Sequence, residues 1–516
     1  MFTSTQVALM IIRTLISSLL SLLLLIVVVG TAAGCQPEDE VQATPSPDPD
    51  TEIPITTVSE DARAVFLDGL YAMEIGDQQT AQEHFQKAVS IDPDFTYAYV
   101  YLADVSFSPE SFEKNLGKAN ETSSDKSEGE QLLAQIRKTY ITNDAERRLE
   151  LASRLTEAYP ASAYAWVERG DVYNSRGEVD EAREAWKTAS KHSSTLIVSN
   201  VRLSNSYTFS EPRDLDKAIL FAQQAVAIQP EEAVLQVWLG DAYRGNGDLE
   251  EARRTYQKAV EVNAGYAPAH VKLGHVLSFL GSYDEARASY DQGVQQGRGV
   301  AKAQLANYRA FVALHEGNPE AAYDELSDVI VMIENMDLPV EEKTGVTFFT
   351  LNNQFLVAVH NDMIEEAEAT ITQRRLLSEE VEDRTVDATM KANISTDRLY
   401  WDGYLAAMSG NTEMARKAAN DYYESVKDQT DPKRFENQHH LLGLAALIDG
   451  DGETAVRHLS KADPNNIGIR FQLAQAYELA GDIEASRKAY DDVARHNFNS
   501  VEYAIVRADA MKKRRV

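Results

Sequence analysis

Residues 233–299 read AVLQVWLGDAYRGNGDLEEARRTYQKAVEVNAGY and then APAHVKLGHVLSFLGSYDEARASYDQGVQQGRG, one pattern written twice. A shift of 34 residues lays Leu239-Gly240 on Leu273-Gly274, Gly247-Asp248 on Gly281-Ser282, Ala252 on Ala286, Tyr256 on Tyr290 and Ala259 on Gly293. Within each copy the large apolar residues recur at the helical spacing, so each half is an amphipathic helix. The glycine at the midpoint supplies the left-handed backbone of a turn. The small residues fall where two helix axes must approach closely. Such a helix–turn–helix unit cannot bury its apolar face alone and requires neighbours stacked on it.

Echoes of the pattern run outward in both directions. A first unit carries Gly69, Gly76-Asp77, Ala81, Phe85, Ala88 and Pro93. A second begins at Thr96 with Tyr99, Leu102 and Ala103, then loses the pattern; residues 107–142 read as a helical insertion, after which the second helix resumes over 143–159. A third has Trp166, Gly170, Tyr173, Gly177, Ala182, Trp186 and Ala189, and a fourth Leu203, Tyr207, Ala218, Ala222 and Ala225. Beyond the opening pair, Ala310, Gly317 and Ala322 mark a weaker unit. Helix pairs continue through 331–430 without the signature, which returns over 431–497 with Gly443, Gly450-Asp451, Ala455 and Leu459, then Ala474, Tyr477, Gly481-Asp482 and Tyr490. A last helix within 498–516 is expected to cap the open end, where a stack needs a polar outer face.

The set Leu239-Gly240, Tyr243, Gly247, Ala252, Tyr256 and Ala259 resembles the tetratricopeptide repeat (TPR), and the resemblance covers most of the chain after residue 60. It implies an all-α fold, an α-α superhelix of stacked antiparallel helix pairs over 59–330 and beyond, that holds other proteins in a groove. By that pattern the first helix of each unit faces the groove. The positions concerned include Phe66, Leu70, Val100, Phe107, Val167, Asp171, Val201, Asn205, Val237, Asp241, Arg244, Val271 and His275. They make a mostly apolar strip edged with acids. Two readings of it are open: the lining of a partner-binding groove, or core covered by neighbouring helices or by the segment that precedes the array. An acidic rim favours partners with cationic segments.

The N-terminus points to export. Residues 14–29 are almost wholly apolar, Arg13 is the only charge before residue 38, and Gly30-Thr31-Ala32-Ala33-Gly34 precede Cys35, the only cysteine. Ala32-Ala33-Gly34-Cys35 resembles the bacterial lipobox, which implies a signal peptide over 1–34, cleavage before Cys35 and acylation (palmitate among the chains) of that residue. An uncut signal anchor is the alternative. Either way the chain after Cys35 faces the extracytoplasmic space of a bacterial cell envelope, at the outer membrane or the periplasmic face. Met10 is a more typical start than Met1 for such a signal. Residues 35–58, with five prolines, six acids and no base, read as a disordered tether.

The net charge of −31 argues against nucleic acid as a partner. No phosphate loop, zinc-helix motif or nucleophile constellation occurs. His439-His440 are adjacent and point about 100° apart on a helix, a poor arrangement for one metal ion. No cofactor, metal or small-molecule substrate is expected, and no catalysis. The expected function is a membrane-tethered scaffold that binds a protein or peptide. The alternatives are an accessory or regulatory subunit of an envelope enzyme or secretion or assembly complex, and an enzyme with its site hidden in 331–430.

Overall fold

The computed structural model describes residues 52–106, 109–142, 144–385, 388–429, 431 and 433–515. The signal, Cys35 and most of the tether lie outside the described residues. Among those described, every regular element is a helix, and none is long and apolar enough to cross a membrane. The chain divides into two compact units. One holds the described residues up to Tyr243 together with Arg254–Ala269; the other holds Arg244–Arg253 and the described residues from His270 onward.

In the first unit the helices are α1 Glu60–Glu74, α2 Gln78–Ile91, α3 Thr96–Asp104, α4 Pro109–Thr122, α5 Glu128–Thr142, α6 Ala145–Ala158, α7 Ala163–Ser175, α8 Val179–His192, α9 Ile197–Phe209 and α10 Leu215–Ile228. The boundary runs through α11 Ala233–Asn246 and α12 Leu249–Val262. The second unit continues with α13 Ala267–Leu280, α14 Tyr283–Gln296, α15 Gly299–Glu316, α16 Pro319–Glu334, α17 Val340–His360, α18 Ile364–Arg384, α19 Ala388–Met408 and α20 Thr412–Val426. It ends with α21 Glu436–Ile448, α22 Gly452–Leu459, α23 Ile467–Leu479, α24 Ile483–Ala494 and α25 Val501–Lys513.

Local chemistry sets these boundaries. Gly247 and Gly281 close the turns of the opening pair at φ 89° and 81°, where a side chain would be strained. Short polar side chains cap the following helices: Asp77 accepts from the Thr80 amide and Asp214 from the Lys217 amide. A second device holds the two helices of five pairs together. A Cβ at Gly240 would lie 2.4 Å from the ring of Tyr256, sixteen residues on. The same small-to-large contact recurs between Gly69 and Phe85, Gly170 and Trp186, Gly274 and Tyr290, and Gly443 and Leu459. The ring fills the space the glycine leaves, so the helix axes come close.

Two elements depart from expectation. Residues 107–142 are not a pair hung between the halves of one repeat: α3 packs on α4, and α6 packs on α5, so the inserted helices complete two pairs. The final helix does not simply cap an end. It packs on α15, α17, α23 and α24, with Val501, Tyr503, Ala504, Val506 and Ala510 buried. Ala508, Asp509, Lys512 and Lys513 remain exposed along the other side.

Candidate functional site

Of the two readings left open for the strip, burial favours the covered one. Phe66, Leu70, Val100, Val167, Val201, Val237, Asp241, Arg244, Val271 and His275 are buried, and Asp171 and Asn205 are half-buried. Phe107 lies outside the described residues. The side chains also fall into separate clusters. Phe66, Leu70 and Val100 sit with Phe85, Phe95, Tyr97 and Tyr101. Val167 sits with Leu196 and Val198, Val201 with Ile197 and Leu235, and Val271 with Tyr290 and Val312. The polar members have partners inside the fold. Asp171 accepts from Trp186 Nε1 at 3.1 Å, and Asp241 from Tyr256 Oη at 2.6 Å. In the second unit His275 shares a 2.6 Å hydrogen bond with Tyr290 Oη, and the Arg244 guanidinium stacks 4.9 Å from the Phe498 ring.

The physical reason, in the first unit, is that its first helix folds back on later ones. Tyr71 and Ile75 pack into the cluster of Ile197, Val201 and Leu235. Tyr71 Oη donates to Glu232 Oε1 at 2.6 Å, just ahead of α11. The N-cap of helix α9 is Leu196, which has no side-chain acceptor for the free amides of the first turn. Glu74, from α1, supplies it: its carboxylate accepts from the amides of Ile197 and Val198 and from Tyr164 Oη. Burial pushes the Glu74 carboxyl up to about 7, with those hydrogen bonds pulling the other way.

The tether, expected to be free through residue 58, is bound at its end. Residues 52–57 cross the first unit as an extended strip. The Glu52 carboxylate accepts from the Ala163 amide at 2.8 Å, the Tyr164 amide at 3.4 Å and the Ser162 hydroxyl, which places it on the N-terminus of α7. That is the favourable end of the helix dipole for an anion. Ile53 is 3% exposed and belongs to the cluster that also covers Phe66, Leu70 and Val100. It sits against Gly129 and Tyr159: a Cβ on Gly129 would fall 2.5 Å from Ile53 Cγ2 and 2.9 Å from the Tyr159 ring. The Ile55 carbonyl accepts from Arg63 Nη2 at 2.8 Å. The Thr56 amide donates to Glu130 Oε1 at 3.3 Å, and the Thr57 hydroxyl to Asp92 Oδ2 at 2.5 Å. In the same unit Arg137 ties three helices, donating to both oxygens of Asp104, at 2.7 Å from Nη2, and to Glu168. Burial raises the Glu168 carboxyl above its usual range while Arg137 opposes the shift.

Sequence reading missed this strip because the surrounding proline and acid run dominates the composition. A signal was present: Ile53 and Ile55 are β-branched residues at alternate positions, the period of an extended segment with one face buried. The seated segment leads with an acid, received by the N-terminus of α7 and not by the acidic edge of the strip.

The stretch 331–430 is where the enzyme alternative would place its site. Its His360, Tyr400 and Tyr404 meet His440 of α21 and Gln472 of α23 in one polar cluster. His360 Nε2 lies 2.7 Å from Tyr404 Oη; His440 lies 2.9 Å from Tyr400 Oη and 2.7 Å from Gln472 Oε1. Desolvation pushes both imidazoles down to about 4. They are therefore neutral near pH 7, and hydroxyl, amide and ring partners hold them as a packed polar layer. His439 turns instead to His458, with Nδ1 atoms 3.0 Å apart. Among the described residues no three His, Cys, Asp or Glu side chains gather as a metal site.

A family model described as TPR repeat matches residues 240–278. Models described as tetratricopeptide repeat match 62–95, 143–190, 267–295 and 446–510. The chain is a tetratricopeptide-repeat protein. TPR proteins are typically interaction scaffolds without a catalytic step. Among solved structures, the chain is similar to YrrB, titled a TPR protein with an unusual peptide-binding site, at 20% identity over 36% of this chain and 93% of that one, TM-score 0.29. It is similar to PilW, titled a widely conserved type IV pilus biogenesis factor, at 14% identity over 40% and 95%, TM-score 0.34. A tetratricopeptide repeat protein from Parabacteroides merdae is 11% identical over 57% and 100%, TM-score 0.32. No curated protein matches the chain.

Proposed function

We propose that this TPR protein is a non-catalytic scaffold, lipid-anchored through Cys35 to a bacterial membrane and facing the extracytoplasmic space, that binds partner proteins through extended segments. The observation that carries the binding reading is the strip at residues 52–57, an extended segment already held by side-chain burial and by a carboxylate on the α7 N-terminus. Those are the two interactions by which a peptide is recognised along a groove. The anchor reading rests on the apolar run, the small residues and the single cysteine, in that order.

Both halves are open to test. Palmitate labelling and membrane fractionation of the wild-type and Cys35→Ser chains address the anchor: label lost and protein released is the expected result, whereas a membrane-retained variant would mean an uncut segment holds it. Crosslinking in intact envelopes addresses the scaffold. Crosslinks from the first unit to another envelope protein are expected; a chain linked only to itself would contradict the reading.

A further inference from the structure

The seat of residues 52–57 is specific in a way that plain packing is not. A carboxylate is received by two backbone amides and a hydroxyl. The next side chain enters a hollow that exists because residue 129 lacks a Cβ. Pro54 has no amide to satisfy and stays exposed, while the flanking carbonyl of Ile55 and amide of Thr56 are taken by Arg63 and Glu130. These contacts read a segment by an acid, then a β-branched aliphatic residue, then a second one two places on.

We propose that this seat is a recognition site for a partner segment of that acidic–aliphatic chemistry, and that the chain's own residues 52–57 are its resident competitor. The inference rests on the scaffold reading and adds to it the kind of segment bound and what restrains binding. The arm is joined directly to α1, so it competes at the millimolar effective concentration of a short linkage. A free partner segment must displace it, and its apparent affinity falls by the fraction of chains in which the seat is empty. A partner that engages several seats, or that arrives at a membrane where many copies are anchored, overcomes that restraint.

The test uses the full chain and a fluorescein-labelled peptide of residues 50–58, read by anisotropy. Weakening the arm with Ile53→Gly is expected to tighten peptide binding at least about tenfold over wild type. The peptide carrying Glu52→Lys is expected to lose about tenfold on the same chain, because its charge meets the wrong end of α7. An Ile53→Gly chain that keeps the wild-type helical signal and melting transition, yet binds no better than wild type, overturns the proposal; so does equal binding of the two peptides. Should Ile53→Gly disturb the fold, Glu52→Ala removes only a carboxylate and gives the same comparison: tighter binding supports the resident competitor, and unchanged binding overturns it. Absence of any envelope partner for the wild-type chain counts against the scaffold reading alone, since the peptide measurement needs no partner.

Discussion

Acidification should act on the two units in opposite directions. In the second unit, desolvation holds His315, His360 and His440 at about 4 against an ordinary 6.5. For such a base the unfolded chain takes up the proton first. Stability is therefore fully present above the unfolded value and falls as pH drops from 6.5 towards 4. Each fully depressed histidine forfeits about 2 kcal/mol between pH 7 and pH 5, at about 1.4 kcal/mol per unit. His315 and His360 are only half-buried, so their shares are smaller, and Glu502, whose carboxyl burial raises, offsets part of the loss. His275, which burial holds down in the same sense, adds to the loss, and the net comes to at least roughly 3 kcal/mol. In the first unit Glu74 works the other way. Its folded value of about 7 lies above the ordinary 4.5, so the folded state binds the proton first and stability rises as pH falls through that window. The gain at pH 5 is about 2 kcal/mol, and Glu168 adds to it in the same sense. Amide hydrogen exchange, corrected for intrinsic rates and read separately on peptides from α1–α10 and α17–α25, measures both. Protection in the second unit should fall by about two orders of magnitude from pH 7 to pH 5, while that in the first rises by about one. Equal losses in the two units, or a first unit that opens sooner in acid, would refute the linkage argument.

Gly240→Ala should destabilise the first unit by about 1–3 kcal/mol in denaturant titrations, because the added methyl meets the Tyr256 ring; an ordinary helical glycine would show the opposite sign. Arg137→Ala should cost about 3–5 kcal/mol by leaving Asp104 and Glu168 without their counter-charge, whereas breaking an exposed pair such as Lys118 with Glu121 should leave the melting transition nearly unchanged. Val237→Glu, at a position 5% exposed, should unfold the first unit or lower its melting point sharply, where a groove-lining position would accept the charge and lose only partner binding.

Much of the fold was legible because its devices are local. A glycine at the turn, a capping acid next to it and a small residue sixteen positions ahead of a large ring are all written within one repeat, as in Gly240, Gly247 and Tyr256. What covers the first helices was not legible. Val201 has the same neighbours in sequence whether its face is open or covered, and what covers it, Tyr71 and Ile75, comes from a helix about 130 residues earlier. The loss of signature over 331–430 has a similar cause. There the small-to-large contact is shared: a Cβ at Gly403 would meet Ala418 at 2.8 Å and Leu441 at 2.9 Å, so no single large ring at a fixed distance marks the pair. The arm escaped notice because six residues of alternating β-branched character lie at the end of a longer run of prolines and acids.

The most direct test of the account is residue-resolved amide exchange at Thr56, Ala163 and Tyr164 in the wild-type and Glu52→Ala full-length chains. The seated arm predicts slow exchange at all three in the wild type, and faster exchange at Ala163 and Tyr164 once the Glu52 carboxylate is gone. Free exchange at Thr56 in the wild type, with no response at α7 to the substitution, would contradict it.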